Sequence, residues 1–167
     1  LLGWAVEFGH SDVATLLLSL GARPGTTDRK GFTPLHRAAW NGNVDVGRLL
    51  LDHGAYIDTP SVGARNTPLI LAALRADDRM VAFLVSRGAD IEVRDGKGMS
   101  AMDHATLHGA AKVVDFLLQQ GADCNAARYY CEVGVATVST LPQRHNFDQI
   151  VKSLCEPWSR QSVVTAL

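Results

Sequence analysis

Cysteine is scarce in this chain, and its three copies, Cys124, Cys131 and Cys155, are scattered. An odd set at that spacing fits neither a zinc motif nor a disulfide framework. The thiols read as reduced side chains of an intracellular protein, cytoplasmic or nuclear. No one sign of charge dominates: Lys and Arg number 16 against 17 Asp and Glu, a net charge of −1. That balance gives no ground for a nucleic-acid partner or an anionic membrane surface. Long apolar runs are missing too. The longest are a few residues, far short of the ~20 that cross a bilayer, so no membrane insertion is expected. No signal-peptide pattern stands at the amino end. Apolar residues in short stretches are plentiful, at 47% of 167 residues, enough to fill the core of one ordinary domain.

Those short stretches recur. Gly-Ala pairs stand at 21–22, 54–55, 88–89 and 121–122, with spacings of 33, 34 and 33 residues. A fixed period of that length marks stacked supersecondary units rather than one closed globule. The fullest unit carries Gly-Phe-Thr-Pro-Leu-His-Arg-Ala-Ala at 31–39, then Gly42, then Leu49-Leu50-Leu51 and Gly54-Ala55. Residues 28–32 are predicted to form a tight hairpin turn around Gly31. Thr33 is placed to N-cap a short helix, with Pro34 in its first turn. Ala38 and Ala39 let a neighbouring helix approach, and Gly42 ends the helix in a left-handed turn. A second helix follows, with Val46, Leu49 and Leu50 spaced for burial.

The next unit aligns at a shift of 34 residues. Thr67-Pro68-Leu69 supplies the cap, Ala72-Ala73 the small pair, and Met80, Phe83 and Leu84 the second core helix. Its extra residue falls between Asp58 and Asn66, where a hairpin can absorb it. Ala76 stands where Gly42 stands, at a cost of about 1 kcal/mol if the left-handed turn is kept. In the last clear unit Ser100 and Asp103 form a capping-box pattern, Gly109 is retained, and Val113, Phe116 and Leu117 supply the core. In the first unit, Gly9, Val13, Leu16 and Leu17 fit the pattern, but its hairpin and cap are absent.

On these motifs the chain closely resembles the ankyrin-repeat family. The resemblance implies an all-α solenoid of stacked helix-turn-helix units joined by short hairpin loops. Residues 1–125 would hold four repeats, the first truncated at its start, with further repeats or domains expected upstream. Residues 126–167 would hold a degenerate capping repeat and tail, its outer helix near 149–154; the alternative is a separate or disordered tail. Two departures from the family stand out: Ile70 replaces the structural histidine that His36 supplies in the preceding repeat, and the fourth repeat loses both proline and histidine. His36 is expected to hydrogen-bond within and between repeats. Asn125 holds a place that asparaginyl hydroxylases modify in some members.

Chemistry finds little support. His104 and His108 are four apart on a predicted helix, but Ala105 stands where a metalloprotease glutamate would be. Both fall at outward-facing positions in the family and read as surface histidines. Asp95-Gly96-Lys97-Gly98 lacks the spacing of a phosphate loop and falls at a hairpin tip. No nucleophile has a base beside it. No catalytic residue, cofactor or metal is expected, and the chain does not read as an enzyme.

The family is one of binding scaffolds, and its variable positions on hairpin tips and inner helices carry recognition. Transferred to this sequence, they give Phe8, Arg29, Lys30, Phe32, Trp40, Asn41, Leu74, Arg75, Met99, Leu107 and His108 as partner-binding candidates, with Glu7, Asn66 and Lys97 beside them. Several are apolar where the framework does not require it, and aromatics and Arg are common interface anchors. Trp40, Leu74 and Leu107 are expected to align as one ridge. The resulting expectation is a protein–protein interaction module that binds through its concave face. The alternative is a regulatory ankyrin segment of a larger enzyme or channel.

Overall fold

The computed structural model describes residues 1–123, which form eight helices and no strand. They pair as four hairpins: α1 (Leu2–Glu7) with α2 (Ser11–Ser19), α3 (Pro34–Asn41) with α4 (Val44–Asp52), α5 (Pro68–Leu74) with α6 (Asp78–Ser86), and α7 (Ala101–Leu107) with α8 (Ala111–Gln119). The odd-numbered helices pack in sequence as an inner row, and the even-numbered ones form an outer row behind them. The expected closing repeat over 126–167 and the Asn125 position lie outside the described residues.

Local signals set the helix ends. The side chains of Thr33, Thr67 and Ser100 accept the backbone N–H of His36, Ile70 and Asp103 respectively, so each inner helix after α1 begins on a hydroxyl cap. Asn43 and Asp77 do the same for the outer helices α4 and α6. Every inner helix then closes through one left-handed residue: Gly9, Gly42, Ala76 and Gly109, with φ of 75°, 69°, 54° and 67°. The turn lets His10, Asn43, Asp77 and Ala110 donate their N–H groups five residues back, at 2.8–3.1 Å. Orphan carbonyls at the helix end are thereby satisfied. The repeated Gly-Ala pair has the same cause on the outer row. Its glycine takes φ of 84–89°, and its alanine donates back to Leu17, Leu50, Leu84 or Leu117.

The core is continuous through all four hairpins. Ala38, Ala39, Ala72, Ala73 and Ala105 are fully buried where inner helices approach one another, and Leu35, Leu69 and Met102 fill the space beside them. On the outer row, Val46, Leu50, Met80, Leu84, Val113 and Leu117 are buried. The first outer helix departs from the expectation. Val13 and Leu16 are 43% and 58% exposed, and the buried residues are Ala14 and Leu18. The reason is directional. The column begun by Val13 faces the preceding hairpin, and none precedes α1 among the described residues. The column begun by Ala14 faces the following hairpin. Gly47, in that second column, is so close to α6 that an added Cβ would lie 3.1 Å from the Phe83 ring.

Candidate functional site

The hairpin tips are built around one acceptor side chain each. Asp28 Oδ1 accepts the N–H of Lys30 and Phe32 at 2.8 and 2.9 Å. Asp95 Oδ1 does the same for Lys97 and Met99 at 2.7 and 2.9 Å. Ser61 replaces the aspartate in the third repeat, and its hydroxyl accepts the N–H of Asn66. Its loop spans five residues rather than four, which absorbs the extra residue, with Arg65 held at φ 53°. Successive tips are joined through the backbone. Val62 N–H donates to Lys30 O at 3.0 Å, and Gly96 N–H to Ala64 O at 2.8 Å. Gly31 is required twice over, since its φ is 74° and an added Cβ would fall 2.5 Å from Val62 N.

Each tip carboxylate also reaches down to its inner helix. Asp28 Oδ2 pairs with Arg37 at 2.7 Å, and Asp95 Oδ2 with His104 Nε2 at 2.9 Å. Arg37, Leu71 and His104 occupy one structural column, so the third repeat, with Ser61 and Leu71, has no such tie. His104 is therefore a buried histidine bound to a carboxylate, not a surface one. Its Nδ1 and Asp103 Oδ1 are buried without a hydrogen-bond partner. The spacing of nine from Asp28 to Arg37 and from Asp95 to His104 was the available signal. Burial pushes both carboxyls upward, but the opposing groups outweigh it and hold them below the usual range. Those groups are the Phe32 and Lys30 amides with Arg37 at Asp28, and the Met99 amide, His104 and the Lys97 amide at Asp95.

His36 links two repeats. Thr33 N–H donates to its Nδ1 at 3.0 Å, which makes that nitrogen an acceptor. The ring proton is then on Nε2, which donates to Asn66 O at 2.9 Å on the next hairpin tip. Burial lowers the pKa of His36, and the Asn66 and Thr59 carbonyls only partly oppose it. The ring is thus held neutral, as a structural group.

A cleft of about 760 Å³ opens between the tips and inner helices of the second and third repeats. Phe32, Trp40, Leu71 and Leu74 form its apolar lining; Arg29, Lys30 and Asn41 stand beside them. Six of the partner-binding candidates thus come together here, Arg29, Lys30, Phe32, Trp40, Asn41 and Leu74, with Glu7 and Asn66 beside them. Arg75 lies alongside, its guanidinium over the Trp40 ring. Phe8 sits at the end of α1, 62% exposed and stacked on Trp4 at 5.6 Å between centroids. Met99, Leu107 and His108 belong to the fourth repeat and do not line the cleft. Along the expected ridge, Trp40 is 46% exposed while Leu74 and Leu107 are half-buried. Leu71 and Arg37 also line the cleft, beyond the positions that the repeat offsets predict. Arg37 crosses to the first repeat, where it pairs with Glu7.

Among the described residues no three His, Cys, Asp or Glu side chains could hold a metal, and no helix is long and apolar enough to cross a membrane.

Comparison with known proteins agrees with this architecture. The family model described as ankyrin repeats (three copies) matches residues 1–61 and 59–128. The chain is similar to ankyrin repeat and KH domain-containing protein 1 of Homo sapiens, 41% identical over 91 residues. It is similar to palmitoyltransferase AKR1 of Lachancea kluyveri, 31% identical over 126 residues, and to the transient receptor potential channel pyrexia of Drosophila melanogaster, 33% over 124. These alignments cover 54%, 73% and 74% of this chain, but only 4%, 17% and 13% of those relatives' own lengths.

Proposed function

Because the chain belongs to the ankyrin-repeat family, we propose that it is a protein-binding module whose concave face receives the partner. The observation that carries this reading is the cleft under the second and third hairpin tips. It combines an apolar floor with polar groups around it, as interfaces with a buried centre and a wet rim do. Its walls are held in advance by His36, by the Asp28 carboxylate and by the backbone bond between the second and third tips. A surface ordered before binding loses little conformational entropy when the partner arrives. Binding rather than catalysis is the role proposed, in an intracellular setting.

A second reading has its own support. Two similar proteins are named as a palmitoyltransferase and a channel, each far longer than the part aligned. This chain would then be the regulatory ankyrin segment of a larger enzyme or channel, with the same face meeting the adjoining domain. Further repeats before α1 belong to the same proposal. The exposure of Trp4, Val13 and Leu16 on the first hairpin supports them.

Affinity capture with the purified chain and its Trp40→Ala variant tests the concave-face reading. Proteins held by the first and lost by the second are the expected result. A set of captured proteins identical for both would remove the face from consideration.

A further inference from the structure

The net charge of −1 conceals a separation of sign between the two sides of the stack. Tips and inner helices, at 1–9, 28–42, 61–76 and 94–109, carry seven Lys and Arg against four Asp and Glu. The remaining residues up to 123 carry five against ten. The four acids on the concave side are, moreover, already engaged. Glu7 and Asp28 both meet Arg37. Asp95 is taken up by His104 and two backbone amides. Asp103 is buried in its capping box, where it accepts the Ser100 N–H at 2.8 Å. Against them stand Arg29, Lys30, Arg65 and Lys97, all exposed and shared out over three successive tips. Among the described residues none of these four is in a salt bridge. The concave rim is therefore a row of unneutralised cations beside an apolar floor.

We infer that this face takes an acidic linear segment of a partner protein. Carboxylates would run along the hairpin tips, and one aromatic or aliphatic side chain would seat between Phe32, Trp40, Leu71 and Leu74. The inference rests on the reading of the concave face as the binding surface. Exposed rim charges each add little affinity, but together they steer encounter and select the sign of the partner. The buried anchor supplies most of the binding energy. A nucleic acid would meet the same cations less well. Stacking platforms need open aromatic faces, whereas the Trp40 ring already carries the Arg75 guanidinium and the rest of the floor is half-buried or aliphatic. The acid-rich outer side would also repel a polyanion.

The test is a selection of random dodecapeptides displayed on phage against the full chain. Binding of the enriched peptides is then measured by fluorescence anisotropy. The proteins compared are the wild type, Trp40→Ala, and a variant with Arg29→Glu, Lys30→Glu, Arg65→Glu and Lys97→Glu together. The enriched peptides should be rich in Asp and Glu around an aromatic or aliphatic residue. The charge-reversed variant should bind them roughly tenfold or more weakly, and added salt should weaken the wild type. Circular dichroism on each variant separates lost binding from lost fold. Neutral or basic winners that Trp40→Ala no longer binds would overturn the acidic partner while leaving the concave face standing. Acidic winners bound equally by all three proteins would overturn the concave face itself. Failure to enrich any peptide, or a 20-nucleotide single-stranded DNA that displaces the peptides at physiological salt, would also overturn the proposal.

Discussion

The guanidinium carbon of Arg75 lies 5.1 Å from the centroid of the Trp40 ring, so the third repeat reaches back over the second across the cleft. Arg75 is the C-cap of α5 and Trp40 lies in the last turn of α3, so the ends of two successive inner helices meet here. A cation over an indole at an exposed site contributes about 0.5–1 kcal/mol. The contact fixes the orientation of Trp40 more than it stabilises the fold.

Trp40→Ala should therefore weaken partner binding by about 2 kcal/mol or more and leave the fold nearly intact. Trp40 is close to half exposed, so its loss opens no core cavity. Affinity and melting temperature measured on the same variant decide the matter. A large fall in melting temperature with unchanged affinity would assign Trp40 to stability.

Ala76→Gly should stabilise the protein by roughly 0.5–1 kcal/mol. Ala76 adopts φ 54°, which glycine takes at the three equivalent helix ends. The backbone bond from Asp77 to Ala72 already forms at 3.1 Å, so the change relieves strain without altering a contact. Urea denaturation of the two proteins measures the difference. An equal or lower midpoint at unchanged slope would show that the strain is negligible.

Gly31→Ala should cost on the order of 3 kcal/mol, against about 1 kcal/mol for Gly63→Ala. Both glycines have positive φ, 74° and 79°. Only at Gly31 would the added Cβ strike another tip, and Gly63 has open space around it. The difference between the two isolates the price of close approach between hairpins. Equal losses in denaturation would mean that the tips can slide apart freely.

The architecture was legible because its signals are local and repeated. Thr33 and Pro34, the Ser100–Asp103 box and the Gly-Ala pairs each fix a helix end through bonds a few residues long. The facing of Val13 was not legible, because its burial depends on a neighbouring hairpin rather than on its own helix. His104 was misplaced for a related reason. Its partner, Asp95, lies on the hairpin tip, and only the parallel with Asp28 and Arg37 discloses the tie. The cleft lining was recovered in part: Phe32, Trp40 and Leu74 follow from repeat offsets. Leu71 emerges only when the column of Arg37 and His104 is seen to carry an apolar side chain in the third repeat.

Acid should weaken the fold through His36 before it touches the tip carboxylates. Burial holds the folded His36 pKa below its ordinary value, whereas the unfolded ring titrates near 6.5. Between those two values the unfolded chain binds more protons, so stability rises with pH. The stability from a neutral His36 is then complete above about pH 6.5 and is lost progressively as pH falls below it. Asp28 and Asp95 shift in the same direction as each other. Their contribution persists down to about pH 3.9, the ordinary aspartate value, and is lost below it. The loss through His36 therefore begins at a higher pH than the loss through the tip carboxylates. His36→Asn separates them further. It offers Thr33 N–H a side-chain oxygen acceptor, as Asp103 does for Ser100 in the fourth repeat, and an amide does not titrate in this range. Urea denaturation of wild type and variant at about pH 7.5 and about pH 5.5 gives two stability differences. The wild type should lose more on acidification than His36→Asn, even though the variant starts less stable for want of the bond to Asn66. Equal losses in both proteins would mean that the folded ring takes up its proton as readily as the unfolded one, so that burial does not hold His36 neutral and other groups account for the loss.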